Sequence, residues 1–173
     1  GNGTTNGSIG TSNYTIAANA TLALNYATAT TAGPGQWSTR ITGPGTLQLT
    51  SIQGANGTAN WGLNAPTGDS FVSGFTGTIQ IDNGRLDSSP SGMGGISKMI
   101  IKNGGQFLAW NGIYNIPVEI AGNGWGEAGY PSALRVAAAY NATWSGSVGL
   151  NVGSICLSTS AISETVLPKF EVS

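Results

Sequence analysis

The stretch FTGTIQIDNGRLDSSPSGMGGISKMIIKNGGQFLAW, residues 75–110, alternates short apolar runs with Gly, Asn, Ser and Pro. Its runs GTIQID, SKMIIKN and GQFLAW have the length of β-strands, and the residues between them are turn formers. The stretch contains no His, no Cys and no phosphate-binding loop. It therefore predicts a fold of short strands and tight corners that carries little catalytic chemistry.

The same alternation continues on both sides of this stretch. In Tyr14–Ala32, evenly spaced apolar residues among Thr and Asn indicate strands rather than a helix. Further strands are predicted at Thr46–Thr50, Gly77–Asp82, Arg85–Ser88, Lys98–Lys102, Gln106–Trp110, Asn115–Ala121, Ala133–Ala137, Thr143–Val152 and Ser154–Ser158. The expected fold class is all-β, in a chain of 173 residues that is long enough to bury a core.

Alternation also predicts which side chains face inward, because successive residues of a strand point to opposite faces. The expected inward residues are Leu47, Leu49, Ile79, Ile81, Leu86, Ile100, Phe107, Ile120, Leu134 and Val136. Gly84 and Gly105 each follow a turn former and precede a strand, so we expect a positive φ or a close chain approach at both.

Two architectures fit the corners. Asn-Gly within Asp82–Gly84 and Lys102–Gly105 is typical of type I′ hairpins, which would build an antiparallel jelly roll or β-sandwich. Asn and Gly also occupy the left-handed corners of a parallel solenoid. A recurring unit at Gly43–Thr50, Asp82–Ser89 and Lys102–Trp110 favours the solenoid. The last two units are about twenty residues apart, which is near the length of one solenoid coil.

These segments resemble the autotransporter-associated β-strand repeats of secreted bacterial passenger proteins. The similarity lies in ITGPGTLQLT, FTGTIQIDNGRL and ISKMIIKNGGQFLAW, at Gly43, Gly45, Leu47, Leu49, Phe75, Gly77, Ile81, Gly84, Leu86, Ile100, Gly104, Gly105 and Phe107. NIPVEIAGNGWGEAGYPSALRV is similar to the stretch that follows such repeats. The resemblance covers residues 41–157 and implies a right-handed parallel β-helix, extracellular or surface-exposed, with a structural or adhesive role.

The first forty residues and the tail after Ser160 do not match this pattern. The expected division is an N-terminal connector region at residues 1–40 and a solenoid-like domain at 41–173, or one continuous domain over 1–173. The connector is polar and rich in Thr, and it contains the alternating run TLALNY. This run is expected to add as a strand to a neighbouring copy of the chain.

Composition excludes several classes of protein. Only 8% of residues are charged, and the net charge is −1 with six Lys and Arg, so no basic face is expected for nucleic acid. No apolar run reaches the eighteen residues or so that a membrane span needs. The single Cys156 lies in an alternating run and is expected in the core. A surface of hydroxyl and amide groups suits an extracellular or cell-surface protein, which the resemblance makes bacterial.

Catalytic chemistry is not expected. The chain has no His, and its seven carboxylates are scattered. Asp82 and Asp87 flank Arg85, but Asp82 is expected to form the corner and Asp87 to be solvated. Arg135 is expected to face solvent from a strand. We predict that the chain is not an enzyme and has no catalytic residue, metal site or cofactor.

Binding to glycans is the alternative that the aromatic residues leave open. Trp125 and Tyr130 lie in the Gly-rich run GNGWGEAGYPS beside Glu127, where exposed rings would stack on sugars and the carboxylate would accept from sugar hydroxyls. Candidate N-glycosylation sequons begin at Asn2, Asn6, Asn13, Asn19, Asn56 and Asn141.

Two functions are consistent with these observations. The first is an extracellular structural module, a self-associating and glycosylated subunit of a fibre, stalk or surface layer. Its partners would be further copies, joined by strand addition or by end-to-end stacking, because exposed sheet edges invite pairing. The alternative is a carbohydrate-binding or polysaccharide-processing β-helix module or adhesin.

Overall fold

The structure is a computed structural model that describes residues 13–26, 41–51, 60–62, 74–102, 104–125, 132–137, 140–151, 157–159 and 170–172. Short strands joined by tight corners account for most of these residues. In chain order they are β1 (Tyr14–Thr15), β2 (Thr21–Tyr26), β3 (Ile41–Thr42), β4 (Thr46–Ser51), β5 (Asn60–Gly62), β6 (Thr78–Ile81), β7 (Gly84–Ser88), β8 (Lys98–Ile101), β9 (Gly105–Ala109), β10 (Gly112–Tyr114), β11 (Val118–Ile120), β12 (Leu134–Val136), β13 (Ala142–Trp144), β14 (Val148–Leu150), β15 (Leu157–Thr159) and β16 (Phe170–Val172). A 3₁₀ turn spans Pro90–Met93.

All pairings between these strands are parallel. A six-stranded sheet has the order β14-β11-β8-β6-β4-β2, and a five-stranded sheet has the order β15-β12-β9-β7-β5. Two smaller sheets have the orders β10-β13-β16 and β1-β3. The predicted all-β class is confirmed. The antiparallel pairing that a jelly roll or sandwich needs is not found between the named strands.

The corners join strands of different sheets. Asp82 and Asn83 connect β6 of the six-stranded sheet to β7 of the five-stranded sheet, so the hairpin interpretation of this Asn-Gly pair is wrong. The recurring unit is in register for its last two members, since Gly84 pairs with Gly105 and Leu86 with Phe107. Its first member belongs to the six-stranded sheet instead, where β4 pairs with β6.

Aliphatic side chains of the six-stranded sheet stack in register to form the core. One ladder, which we call the inner ladder, runs through paired positions of six strands in the order Leu24, Leu49, Ile81, Ile101, Ile120 and Leu150. All of its members up to Ile120 are buried. Since Leu24 of β2 lies in the same core cluster as the later strands, this sheet and its core include strands from both sides of residue 40.

The predicted inward residues are buried with one exception. Ile100 is half-buried, whereas its neighbours Met99 and Ile101 have no exposed surface. The prediction was wrong because three consecutive apolar residues carry no alternation from which to choose a face. The strand pairing determines which face Ile100 occupies. Ile100 is in register with Gln80 and Glu119, which lie on the outer face.

A second correction concerns Thr143–Val152, which was predicted as one strand. The described part divides into β13 and β14, which belong to different sheets. The chain turns at Gly146, where an added Cβ would lie 2.2 Å from the backbone oxygen of Ile116. Only a glycine fits this corner, because any side chain would collide with the neighbouring strand's backbone.

The two glycines singled out from the sequence behave as expected, for different reasons. Gly84 has a φ of +90°. Gly105 lacks a positive φ, but a Cβ there would lie 2.4 Å from the carbonyl oxygen of Ile81. That oxygen accepts a hydrogen bond of 2.8 Å from the backbone N–H of Lys102 and cannot retreat without breaking it.

Gly105→Ala should therefore lower the free energy of unfolding by about 1–3 kcal/mol, the usual cost of overpacking. The matched control is Gly94→Ala, since Gly94 has a φ of −62° and open space where a methyl group would lie. Urea denaturation of both variants measures the difference. Equal stability of the two variants would contradict the close approach at Gly105.

Candidate functional site

The sugar contact predicted at Trp125 is not supported. The Trp125 side chain is only 3% exposed, so its ring offers no open face for a sugar to stack on. The backbone of Trp125 forms an antiparallel bridge with Ser132. The partners suggested for it, Glu127 and Tyr130, lie outside the described residues.

Asp82, Asp87 and Glu119 each have their own polar partner. Asp82 accepts hydrogen bonds from the side-chain amides of Gln48 and Gln80, the latter at 2.7 Å. Asp87 pairs with the Arg85 guanidinium at 2.7 Å. Asp82 lies in the corner between β6 and β7 as expected, but its carboxylate accepts from two glutamine side chains and not from the backbone of the corner. Asp87 was expected to be solvated and is instead half-buried beside Arg85.

The third described carboxylate belongs to an exposed ion pair. Glu119 lies 2.5 Å from the Lys98 ammonium, and the hydrogen bond from Lys98 lowers the pKa of this carboxyl. In the described part of the chain, no three His, Cys, Asp or Glu side chains are grouped so that they could hold a metal ion. Asp82 and Glu119 therefore form polar links to side chains of neighbouring strands, whereas the Arg85–Asp87 pair lies within β7.

Part of the outer face of the five-stranded sheet is covered. Arg135 was expected to face solvent but is 8% exposed, and Gln106 and Leu108 are buried beside it in the sheet. The Gln106 amide donates to the backbone oxygen of Ser132 at 3.0 Å and to its hydroxyl oxygen at 3.1 Å. Alternation correctly predicts that Arg135 faces away from the core. It cannot predict whether other residues cover that outer face of the sheet.

A groove with a volume of about 280 Å³ lies between the 3₁₀ turn and β10. Met93, Ile96, Ile113 and Ile116 supply the side chains of its apolar lining. None of its lining residues is charged. The ionisable residue among them is Tyr114, whose hydroxyl is already bonded to the Ser88 carbonyl and whose pKa is raised by burial.

Two aromatic residues form an exposed pair, which we call the aromatic pair. Trp110 is 36% exposed and Tyr140 is 37% exposed, and their ring centroids lie 5.5 Å apart at an interplanar angle of 30°. The next residues in the chain, Asn111 and Asn141, are exposed and linked, since the Asn141 N–H donates to the Asn111 side-chain oxygen at 3.3 Å. Neither residue was among the candidate site residues predicted from the sequence.

The position of Trp110 was open to prediction. Phe107 faces inward, so strict alternation places Gln106, Leu108 and Trp110 on the outer face. The burial of Phe107 agrees with this phase. Tyr140 carries no comparable signal, because it lies beyond the end of β12 in a connecting segment.

β14 is the outermost described strand at one side of the six-stranded sheet. β14 pairs with β11 on one side, and no described strand pairs with its other side. Leu150 ends the inner ladder and is 55% exposed, although every earlier member is buried. We call β14 and its side chains the terminal edge.

Three of the candidate sequons are described. Asn13, Asn19 and Asn141 are exposed, and Asn19 has a φ of +63°. Asn2, Asn6 and Asn56 lie outside the described residues. Exposure leaves the three side chains accessible for modification, but whether any carries a glycan stays a prediction.

Comparisons of the chain with family models, curated proteins and solved structures gave no match. The resemblance to autotransporter-associated repeats therefore stays a prediction. Within the part of the chain that the structure describes, no helix has the length and hydrophobicity needed to cross a membrane.

Proposed function

We propose that this chain is an extracellular structural module that winds as a right-handed parallel β-helix and joins end to end with further copies. The strand order supports this winding. Successive strands of the chain belong to different sheets, and every strand after the first of its sheet pairs in parallel with an earlier strand of that sheet. The hand is supported by a general rule: connections between parallel strands of one sheet are right-handed in nearly all proteins.

The observation that carries self-association is the exposure of Leu150. This residue occupies an inward position of the inner ladder, yet more than half of its side chain meets solvent. An apolar inward residue on a strand that has no described neighbour on one side is a template for another strand. Burying it gains hydrophobic free energy, while the strand's N–H and C=O groups gain partners.

A second copy of the chain supplies a strand that fits. β2 is the opposite outer strand of the same sheet, and its Leu22 and Leu24 have the same spacing as Val148 and Leu150 of β14. Pairing β2 of one copy with β14 of the next would continue the inner ladder across the junction. Neither strand contains a charged residue, so the usual block against edge pairing is missing.

This junction is heterologous, with different strands meeting from each copy. Such contacts produce filaments when the rotation between copies does not close into a ring. A fibre, stalk or layer is the assembly expected from it. β2 pairs with β4 of its own chain, so a neighbour would pair with its other side, where no described strand lies.

An extracellular, bacterial cell-surface location belongs to the same proposal. It is supported by the low charge of 8% and by exposed sequons at Asn13, Asn19 and Asn141. Hydroxyl and amide groups, not ions, would then keep the surface solvated. No enzymatic activity, cofactor or nucleic acid partner forms part of this proposal.

Leu150→Lys should weaken association at least about tenfold. A tenfold loss of affinity corresponds to about 1.4 kcal/mol of binding free energy. Burying a lysine ammonium in the joined core costs more than this. The control is Ile113→Lys, which adds the same charge at a residue that is 66% exposed in β10. Sedimentation velocity over a concentration series measures assembly of the wild type and both variants.

The wild type is expected to form oligomers that grow with concentration, the Ile113→Lys variant to do the same, and the Leu150→Lys variant to stay monomeric. A wild type that remains monomeric at every concentration would refute self-association. Equal assembly of the Leu150→Lys variant would refute the terminal edge as the junction. A truncation that removes residues 1–32 would also remove the proposed partner strand β2. Point substitutions are the better test, because the truncation deletes the buried Ile16 as well.

A further inference from the structure

We propose that the aromatic pair, Trp110 and Tyr140, is a binding platform for a neutral pyranose sugar. This inference does not depend on self-association, since it concerns other residues and another kind of partner. It also differs from the sugar contact predicted around Trp125, whose ring is buried.

Exposure distinguishes the pair from the other aromatic residues. Among the aromatic side chains that the structure describes, only Trp110 and Tyr140 are exposed. Phe75, Phe107, Tyr114, Trp125 and Trp144 are buried, and Tyr14 is half-buried. Large rings are used elsewhere in this chain to fill the interior, so two contacting rings at the surface form a distinct feature.

The two rings are stacked on each other, and each remains more than a third exposed. The rings come from segments that lie just beyond β9 and β12, which are neighbours in the five-stranded sheet, and their centroids are 5.5 Å apart. A pyranose has an apolar face of C–H groups and a rim of hydroxyls. Trp and Tyr match it, because they combine a wide apolar face with a polar edge.

Hydrogen bonds to Tyr114 and Ser88 fix the backbone at Trp110. Its N–H lies 2.8 Å from the Tyr114 hydroxyl oxygen and 3.2 Å from the Ser88 carbonyl oxygen, and donates to both. The Tyr114 hydroxyl lies 2.7 Å from the Ser88 carbonyl and 3.0 Å from the Trp110 carbonyl, and donates to them. Burial raises the pKa of Tyr114, so this hydroxyl keeps its proton near neutral pH.

The backbone at Tyr140 is also tied to its surroundings. Its N–H donates to the Ala137 carbonyl at 3.2 Å, and the next N–H, that of Asn141, donates to the Asn111 side chain at 3.3 Å. Both rings therefore project from ordered backbone. Preorganisation of this kind reduces the entropy lost when a ligand binds.

The two segments that carry the rings are uncharged and rich in amides. The amides of Asn111 and Asn141 are exposed next to the rings in sequence, and amides both donate to and accept from hydroxyl groups. No charged residue occurs in residues 103–118 or 136–151, the two segments that contain the pair. A uronic or sialic acid would find no cation on either segment, whereas a neutral hexose needs none.

The test is a titration of the full chain with neutral oligosaccharides, namely cellohexaose, mannohexaose and a linear galactan oligosaccharide, with sialyllactose as the acidic comparison. The readout is the NMR signal of the Trp110 indole N–H, assigned by its loss in Trp110→Ala. At least one neutral oligosaccharide is expected to shift this signal in a saturable manner. The absence of any shift with all three would overturn the proposal, as would a shift with sialyllactose alone.

Affinities from calorimetry then test the two rings. Trp110→Ala and Tyr140→Ala should each weaken binding by about tenfold, in line with the loss of one stacked aromatic ring. Ile113→Ala, which removes an exposed apolar side chain that is not aromatic, should bind as the wild type does. Unchanged affinity in both ring variants would overturn the proposal.

Aromatic replacements separate ring stacking from any effect on folding. Trp110→Phe and Tyr140→Phe keep a ring at each position and should retain more affinity than the alanine variants. Thermal melting of all variants shows whether the fold is intact. If the phenylalanine variants bind no better than alanine while melting like the wild type, stacking on the aromatic faces is refuted.

Discussion

Replacing Leu134 with Asp is expected to leave the chain unfolded. Leu134 is 1% exposed and pairs in register with Phe107 of β9 and Leu157 of β15. A carboxylate there would be removed from water without a compensating partner, which costs several kcal/mol. Domains of this size are stable by only about 5–15 kcal/mol, so one such charge removes much or all of the stability.

The control is Leu134→Met, which nearly conserves volume and should cost less than about 1.5 kcal/mol. Circular dichroism and urea denaturation of the purified variants distinguish the two results. A soluble Leu134→Asp protein that still melts cooperatively at neutral pH would show that Leu134 does not face the core.

Trp144→Ala should lower the free energy of unfolding by about 3–5 kcal/mol, the range for emptying a large aromatic site. Trp144 has no exposed surface and stacks on Tyr114 with ring centroids 5.3 Å apart and nearly parallel planes. Its edge-on contact with Phe107 has a centroid distance of 5.7 Å. The indole N–H also donates to the backbone oxygen of Ile116 at 2.8 Å, and this bond is lost with the ring.

Trp144→Phe separates these contributions. It keeps an aromatic ring but leaves the Ile116 oxygen without its donor, so its cost should lie between those of wild type and alanine. Denaturant unfolding monitored by circular dichroism suits all three proteins, since tryptophan fluorescence changes with the substitution itself. A loss below about 1 kcal/mol in Trp144→Ala would contradict a tightly packed aromatic cluster.

Much of this fold is readable from the sequence, because alternation is a local property. The spacing of Leu47 and Leu49, or of Ile79 and Ile81, places both members of each pair on one face whatever the neighbouring strand is. Ile100 shows the limit of this reasoning. Where the apolar run is continuous, the face depends on the register with β6 and β11, which is set by residues far away in the chain.

Strand direction is also a non-local property. Asn83-Gly84 looks the same whether the chain reverses within one sheet or passes to another, since both corners use a positive φ at glycine. The structure resolves this through pairing of Gly84 with Gly105, one unit further along the chain. A second glycine at the matching place of the next unit is therefore a better guide than the corner itself.

The candidate sites were harder to predict than the core. A Gly-rich context suggested that Trp125 is exposed, but its side chain is buried and its backbone bridges to Ser132. Trp110 and Tyr140 are thirty residues apart in sequence number and meet only because β9 and β12 are neighbours. The exposure of Leu150 likewise depends on which strands lie beside β14 in the sheet, and alternation carries no information about them.

The in-register ladders have a consequence for how such a gene evolves. Each inner strand of the six-stranded sheet bonds only to the strands before and after it in the sheet, and each neighbour offers similar aliphatic side chains at the inward positions. A duplicated or deleted unit would therefore meet compatible neighbours, and stability would change by one nearest-neighbour increment. In the proposed β-helix, unequal recombination would therefore lengthen or shorten the encoded protein by whole coils whose strands meet compatible neighbours.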